Sequence, residues 1–164
     1  MTSGVDIVNI ARTQIGFIAG PNESTPFSDW YGLPNEPYCA QFVSWCFNQA
    51  GASNLVAAST DKGFSYCPEG LTWFQKKGRV IDKYKGLPGD LVFFSWNGNG
   101  VADHVGIVEA ASTDGITTIE GNTGPEHSND PSQSGVFRRH RAYLYVLAIV
   151  RPEYPSSSAP QQGS

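Results

Sequence analysis

Charge is scarce in this 164-residue sequence: Asp, Glu, Lys and Arg together make up 16% of it, and the formal net charge is −4. No run of lysine or arginine stands against that balance, so no nucleic-acid partner is expected, and nothing draws the chain to an anionic surface. No apolar run approaches the length needed to cross a bilayer, so no membrane partner is expected either. The amino terminus, Met1-Thr2-Ser3-Gly4-Val5-Asp6, has neither the basic start nor the apolar stretch of a signal peptide. Export by the general route is therefore not expected. Cysteine is limited to Cys39, Cys46 and Cys67, and an odd number leaves at least one free or reactive. A Cys46–Cys67 bridge is open at this level. The plainer reading has both reduced, with Cys46 packed as a small apolar group. There is no internal repeat.

What is present suits one domain with a proper core: 40% hydrophobic residues, 12% aromatic, and 18 Gly and 11 Pro that mark many turns. Residues 5–16 read as a helix, with an apolar stripe through Val5, Val8 and Ile15, Ile7, Ile10 and Ala11 beside it, and Gly16 as the stop. Residues 17–38, rich in Pro, Asn and Ser, read as a loop. A helix over 40–50 follows from the spacing of Phe42, Val43, Cys46, Phe47 and Ala50, closed by Gly51. Another runs from Pro68 to Lys77, with Leu71, Trp73 and Phe74 inside. Trp45 and Trp73 are read as core. The period then changes. Leu91–Phe94, His104–Glu109, Ile116–Glu120, 136–141 and 143–151 read as strands, with a tight turn at Ser112–Gly115. Asp90, after a Pro-Gly turn, reads as a cap on local backbone. Helices first and an antiparallel sheet after give an α+β class.

Cys39 falls at the first turn of a buried helix, where unpaired backbone N–H groups and the positive dipole end favour thiolate over thiol. A cysteine nucleophile needs a base and a group to orient that base. Of the three histidines, His104 begins a strand after a Gly-rich loop and can face a helix end packed across the sheet. His127 lies in a polar loop segment. His140 is flanked by Arg138, Arg139 and Arg141, which would depress its pKa and leave it without an orienting partner. Glu120 and Asn122, two apart on an extended segment, point the same way, and the 112–115 turn returns them beside the His104 strand. One of them can fix the imidazole tautomer. Read blandly, Glu120 only ends a strand in water and Asn122 only makes a turn.

These residues in this order resemble the CHAP family, the cysteine, histidine-dependent amidohydrolases/peptidases, over residues 5–151. The resemblance rests on Tyr38-Cys39-Ala40-Gln41-Phe42-Val43-Ser44-Trp45, on Pro88-Gly89-Asp90-Leu91-Val92-Phe93-Phe94 leading to Asp103-His104-Val105-Gly106-Ile107-Val108, and on Glu120-Gly121-Asn122. NlpC/P60 peptidases belong to the same wider papain-like group, but their cysteine usually follows Asp and precedes Ser-Gly, unlike the Tyr-Cys-Ala-Gln here. The family implies a papain-like α+β fold and hydrolysis of bacterial peptidoglycan. By its motifs Cys39 resembles the nucleophile, His104 the base, Glu120 the His-orienting residue and Asn122 the fourth member. Some phage members carry a calcium loop of closely spaced aspartates before the cysteine. Only Asp29 lies in that stretch here, so no metal and no cofactor is expected.

Substrate is expected in a groove between the helical and sheet halves, with Trp30, Trp96 and Asn97 as candidate wall residues; alternatively, Trp30 packs under its loop. The domain is read as residues 1–152. Residues 153–164 are read as a flexible Pro/Ser-rich tail, an interdomain linker cut short. The resemblance then implies the catalytic domain of a phage endolysin, a monomer, held in the host cytoplasm until released to the wall and followed by a cell-wall-binding domain. Other readings are a bacterial wall-remodelling or phage tail-associated hydrolase, a non-catalytic wall-binding module, and a cysteine hydrolase of a soluble amide or glutamine substrate. Amidase and endopeptidase activity are not separated by the sequence.

Overall fold

The computed structural model describes residues 1–128 and 130–155. Its helices are α1 (Gly4–Arg12), α2 (Pro26–Tyr31), α3 (Cys39–Gln49) and α4 (Cys67–Lys76). Its strands are β1 (Val80–Ile81), β2 (Leu91–Phe94), β3 (His104–Ala111), β4 (Ile116–Thr123), β5 (Gly135–Arg141) and β6 (Val146–Val150). The strands form one antiparallel sheet in the order β1-β6-β2-β3-β4-β5, with helices packed on it. The α+β expectation and its papain-like form therefore hold. Among the described residues no helix is long and apolar enough to cross a membrane.

The sheet is covered on both faces, which explains the unbroken apolar run of β2. Leu91 and Phe93 join α3, Val105, Ile107 and Ile119 in the main core. Val92 and Phe94 point the other way, into a smaller cluster with Val108, Ile116, Val146 and Ile149. Helix α3 is the hub of the main core and packs on α1, α2, β3 and β4. Two buried polar side chains fasten the surrounding loops to it. Gln41 accepts from the Ser28 hydroxyl at 2.6 Å and donates to the Leu33 carbonyl at 3.1 Å and to Ser65 Oγ at 3.0 Å. Ser44 donates to the Phe64 carbonyl at 2.8 Å and accepts from its N–H at 3.0 Å.

Several local readings are corrected. The first helix ends at Arg12 rather than 16. It starts in a capping box of Ser3 and Asp6, but its end tightens into turns, with Thr13 and Gln14 bonding back three residues. Gly16 N–H then donates to the Val136 carbonyl, which commits the chain to the edge of β5, and Val5 is exposed. The expected loop over 17–38 contains α2. The Thr25 hydroxyl caps it by accepting from Ser28 N–H at 3.0 Å, Pro26 sits in its first turn, and Gly32 ends it at φ 99°. The strand expected over 143–151 begins only at Val146, after a 3-10 turn at Tyr143–Tyr145. Trp45 and Trp73 are partly buried and pack against the core from its margin. Asp90 does cap Leu87 N–H, at 2.8 Å, but it is also a buried partner of Arg151.

The tail expected over 153–164 lies outside the described residues from position 156 onward. Its first part is docked. Glu153 pairs with Lys77 at 3.0 Å. Tyr154 stacks on Phe47 and donates from its hydroxyl to the Gly89 carbonyl at 2.7 Å. All three cysteines are free, so the Cys46–Cys67 bridge is absent.

Candidate active site

Cys39 is the first residue of α3 and His104 the first of β3. Both are almost wholly buried. The imidazole stacks on Phe94, which belongs to the outer cluster, and its charge acts on the Cys39 sulfur, which belongs to the main core. His104 thus connects the two faces of the sheet at its end. Its Nε2 meets Glu120 Oε1 at 2.8 Å, leaving Nδ1 for the sulfur.

The approach of Glu120 depends on two glycines. On β3, a side chain at Gly106 would lie 2.7 Å from Glu120 Cγ, so the bare backbone there leaves the carboxylate its path to His104. On β4, a side chain at Gly121 would lie 2.7 Å from Phe42 Cβ, so glycine lets the strand close on α3.

Glu120 is fully buried and every partner it has is a donor. Thr118 Oγ1 donates at 2.5 Å, and Arg141 donates from Nε at 3.0 Å and from a terminal nitrogen at 2.5 Å. The Arg141 guanidinium lies 4.8 Å over the Trp96 ring, and that ring stacks on Phe94 and reaches His104. The result is an alternating row: thiolate, imidazolium, carboxylate, guanidinium, closed by an aromatic lid.

The electrostatics follow from that row. Cys39 is held well below the ordinary thiol value. The largest cause is the Cys67 thiol, which donates to it from a sulfur 3.7 Å away; with the His104 charge it outweighs the burial that pushes the other way. Burial alone would lower the His104 pKa, but the negative charges of Glu120 and Cys39 prevail and raise it to about 10. Burial would raise Glu120, and the His104 and Arg141 charges hold it well below the usual carboxylate range instead. The two shifts act together to favour a thiolate–imidazolium pair.

A cavity of about 560 Å³ opens on Cys39. Tyr31, Leu33 and Pro37 line it on one side and Ser65, Tyr66, Cys67 and Pro68 on another, with Ala102 and Asp103 ahead of His104. Asp103 also fixes the loop before the histidine by accepting from Trp96 N–H at 2.8 Å.

Of the residues singled out in the sequence, Cys39, His104 and Glu120 are brought together. Asn122 is not part of that contact. An extra residue bulges β4 between Glu120 and Thr123, and Asn122 takes φ 56° there. The strict alternation expected to point Glu120 and Asn122 the same way is broken. Its carboxamide makes no hydrogen bond among the described residues. Trp30 adjoins the cavity residue Tyr31 without lining the cavity, and its ring lies under the Lys62 ammonium. Trp96 covers the His104–Arg141 side rather than the cavity. Asn97 is exposed and accepts from Asn99 N–H. His127 sits in a turn at φ 66°, and His140 pairs with Asp114 at 3.6 Å.

Two contributors escaped the sequence reading. In the sequence Arg141 stands out only as a neighbour of His140, although strand alternation puts it with Arg139 on the opposite face. Cys67 could be flagged only as a second cysteine opening a helix. Among the described residues no group of three or more His, Cys, Asp and Glu side chains is disposed to hold a metal ion.

A cysteine at a helix amino terminus, facing a histidine that opens a strand of an antiparallel sheet and is oriented by the next strand, defines the papain-like class. Within that class the chain belongs to the CHAP family: the CHAP domain model matches residues 28–122, a segment that includes Cys39, His104, Glu120 and Asn122. No curated protein sequence matches the chain significantly. Similar solved structures include the crystal structure of Ly7917, at 18% identity and a TM-score of 0.54 over 92% of this chain and 62% of that one. A second structure of that protein, described as Ly7917 with the hydrolyzing product of MDP, gives 18% and 0.54 over 92% and 63%. The NlpC/p60 domain of the peptidoglycan hydrolase SagA gives 17% and 0.51 over 92% and 99%. These are likenesses of fold, and the chain spans about 62% of the length of the Ly7917 chain.

Proposed function

We propose that this domain is a peptidoglycan hydrolase that cleaves an amide or peptide bond of the bacterial stem peptide by cysteine nucleophilic catalysis. The observation that carries the reading is the meeting of Cys39, His104 and Glu120 beside an open cavity in a chain of the CHAP family. The peptidoglycan hydrolase SagA, whose NlpC/p60 domain shares the fold, supports the substrate class.

In the scheme, the Cys39 thiolate attacks the carbonyl carbon, and unpaired N–H groups at the start of α3, that of Cys39 among them, stabilise the oxyanion. The His104 imidazolium gives its proton to the leaving amine. Water then attacks the thioester, with neutral His104 taking its proton, and the thiolate is released. Glu120 holds the ring through Nε2, Arg141 and Thr118 hold Glu120, and Asn122 is the fourth member by motif. Trp30, Trp96 and Asn97 remain proposed contacts for a long polymer that extends beyond the cavity.

The finer reading is the catalytic domain of a phage endolysin, monomeric, kept in the host cytoplasm until it reaches the wall. Residues 1–152 would hydrolyse and 153–164 would lead to a wall-binding domain. The Pro/Ser-rich composition of the tail supports the linker part of that reading. Mass spectrometry of purified peptidoglycan digested by this chain, with Cys39→Ala beside it, tests the proposal. Whole stem peptides freed from intact glycan identify an amidase, and cut stems or cross-bridges an endopeptidase. No product from several wall chemotypes, or the same products from Cys39→Ala, overturns the reading.

A further inference from the structure

Cys67 is a buried nucleophile that the hydrolytic scheme does not use. It is the first residue of α4 as Cys39 is of α3, so two helix amino termini converge on two sulfurs. The sulfurs are 3.7 Å apart. Both residues line the same open cavity, which gives a small solute access to the pair. Both are free, while Cys46 lies in the main core and does not line that cavity.

We propose that Cys39 and Cys67 form a redox-modification site: oxidants of the hydroperoxide class convert them to a Cys39–Cys67 disulfide that removes the nucleophile, and a dithiol reductant restores it. The chemistry balances in two steps. The Cys39 thiolate attacks one oxygen of the peroxide, the O–O bond breaks, and the departing hydroxide takes a proton from the His104 imidazolium, leaving water and a sulfenic acid on Cys39. The Cys67 sulfur then attacks the Cys39 sulfur. The S–O bond breaks, and the leaving hydroxide combines with the Cys67 thiol proton as a second water. Two thiols are oxidised and one peroxide is reduced.

The geometry asks for little movement. A disulfide requires roughly 2.05 Å between sulfurs, so the pair must close by roughly 1.7 Å, within reach of a χ1 adjustment at either cysteine. The roles divide by environment. Cys39 is the thiolate and attacks first, whereas its hydrogen bond to Cys39, with burial, keeps Cys67 a thiol until the sulfenic acid forms. A thiol this close intercepts the sulfenic acid before further oxidation to the irreversible sulfinic and sulfonic acids. Bond formation needs only the two thiols. Its effect on hydrolysis rests on the reading of Cys39 as the nucleophile.

The test treats the purified chain with hydrogen peroxide, blocks remaining thiols with N-ethylmaleimide, and maps peptides without reduction. Peptidoglycan hydrolysis is measured before and after dithiothreitol. The expected result is a Cys39–Cys67 linked peptide short of two hydrogens, Cys46 left as a thiol, and lost activity that dithiothreitol mostly restores. In Cys67→Ser the same treatment is expected to give a Cys39 sulfinic or sulfonic acid and little recovery. Wild-type Cys39 found as sulfinic or sulfonic acid without the linked peptide overturns the proposal. So does equal recovery in wild type and Cys67→Ser. Should that variant fail to fold, the wild-type map decides alone. A linked peptide in a chain that hydrolyses no peptidoglycan overturns the hydrolase reading and leaves this one standing; an active chain that forms no link does the reverse.

Discussion

Cys39 and Cys46 stand about two turns apart on one helix, both buried, and their chemistry is opposite. Cys39 begins α3, where the Cys67 thiol meets its sulfur at 3.7 Å and the His104 charge acts on it, and its pKa is driven down. Cys46 lies inside the same helix among apolar neighbours, and burial alone drives its pKa up. Burial therefore does not decide whether a cysteine reacts. What decides it is the supply of donors and positive charge that burial makes strong.

Removing each sulfur in turn gives the widest separation. Cys39→Ala is expected to cut turnover by about 10⁴-fold or more, since the covalent step is lost, with the circular dichroism spectrum unchanged. Glu120→Gln is expected to come next, with a loss of about 10²-fold. Its amide still fills the space between His104 and Arg141, but the charge that raises the His104 pKa is gone. The pH profile reads that change directly. In the wild type, activity rises as Cys39 ionises, at a pH well below the ordinary thiol value, and falls as His104 loses its proton near pH 10. In Glu120→Gln the alkaline limb moves down. A profile with the same alkaline limb in both proteins would mean that Glu120 does not set the imidazolium.

Stability follows the same charges. The folded pKa of His104 lies above its ordinary 6.5, so its stabilising contribution is full below about 6.5 and is lost as pH rises toward about 10. Glu120 is displaced downward from 4.5, so its contribution is full above about 4.5 and is lost as pH falls through the lower folded value. Thermal melts across pH are expected to show both edges in the wild type and to lose the acid edge in Glu120→Gln. A smaller effect on turnover is expected from Gly106→Ala. The added methyl meets Glu120 Cγ at 2.7 Å and must push the carboxylate away from His104. A loss of about 10-fold in kcat is expected, with the alkaline limb shifted as in Glu120→Gln. An unshifted limb would show that the strand, rather than the carboxylate, had yielded.

How far the sequence disclosed these features depended on the range of the interaction. The α3 amino terminus was legible because the apolar spacing from Phe42 to Ala50 and the stop at Gly51 are local, and so was the hairpin that carries Glu120 back beside His104. Helix α2 has local signals too, in Thr25, Pro26 and Gly32, but six residues in a Pro- and Ser-rich stretch give too little periodicity to outweigh composition. Strand β1, at two residues, has none. The pairs that complete the site are tertiary. Arg141 reaches Glu120 because of the β4–β5 register, and Cys67 reaches Cys39 across 28 residues because Gln41 and Ser44 tie the intervening loop to α3. The expected alignment of Asn122 with Glu120 is lost for the opposite reason: period-two alternation needs a regular strand, and a one-residue bulge sits at that point.

The smallest expected effect lies at the inner end of the comparison and tests its other half. If Cys46 contributes only volume and apolarity, Cys46→Ala is expected to leave kcat unchanged and to cost about 1 kcal/mol, comparable to deleting one buried methylene. Cys46→Ser keeps nearly the same size but puts a hydroxyl where the fully buried thiol makes no hydrogen bond among the described residues. It is expected to cost about 1–3 kcal/mol more than a satisfied polar group would, again with kcat unchanged for the folded fraction. Urea melts of the two variants, with turnover normalised to folded protein, separate the contributions. Equal stability for Ala and Ser would mean that a polar partner reaches this position. A fall in kcat would mean that the inner cysteine is coupled through α3 to the outer one, and that the chemical difference between them is not a matter of local environment.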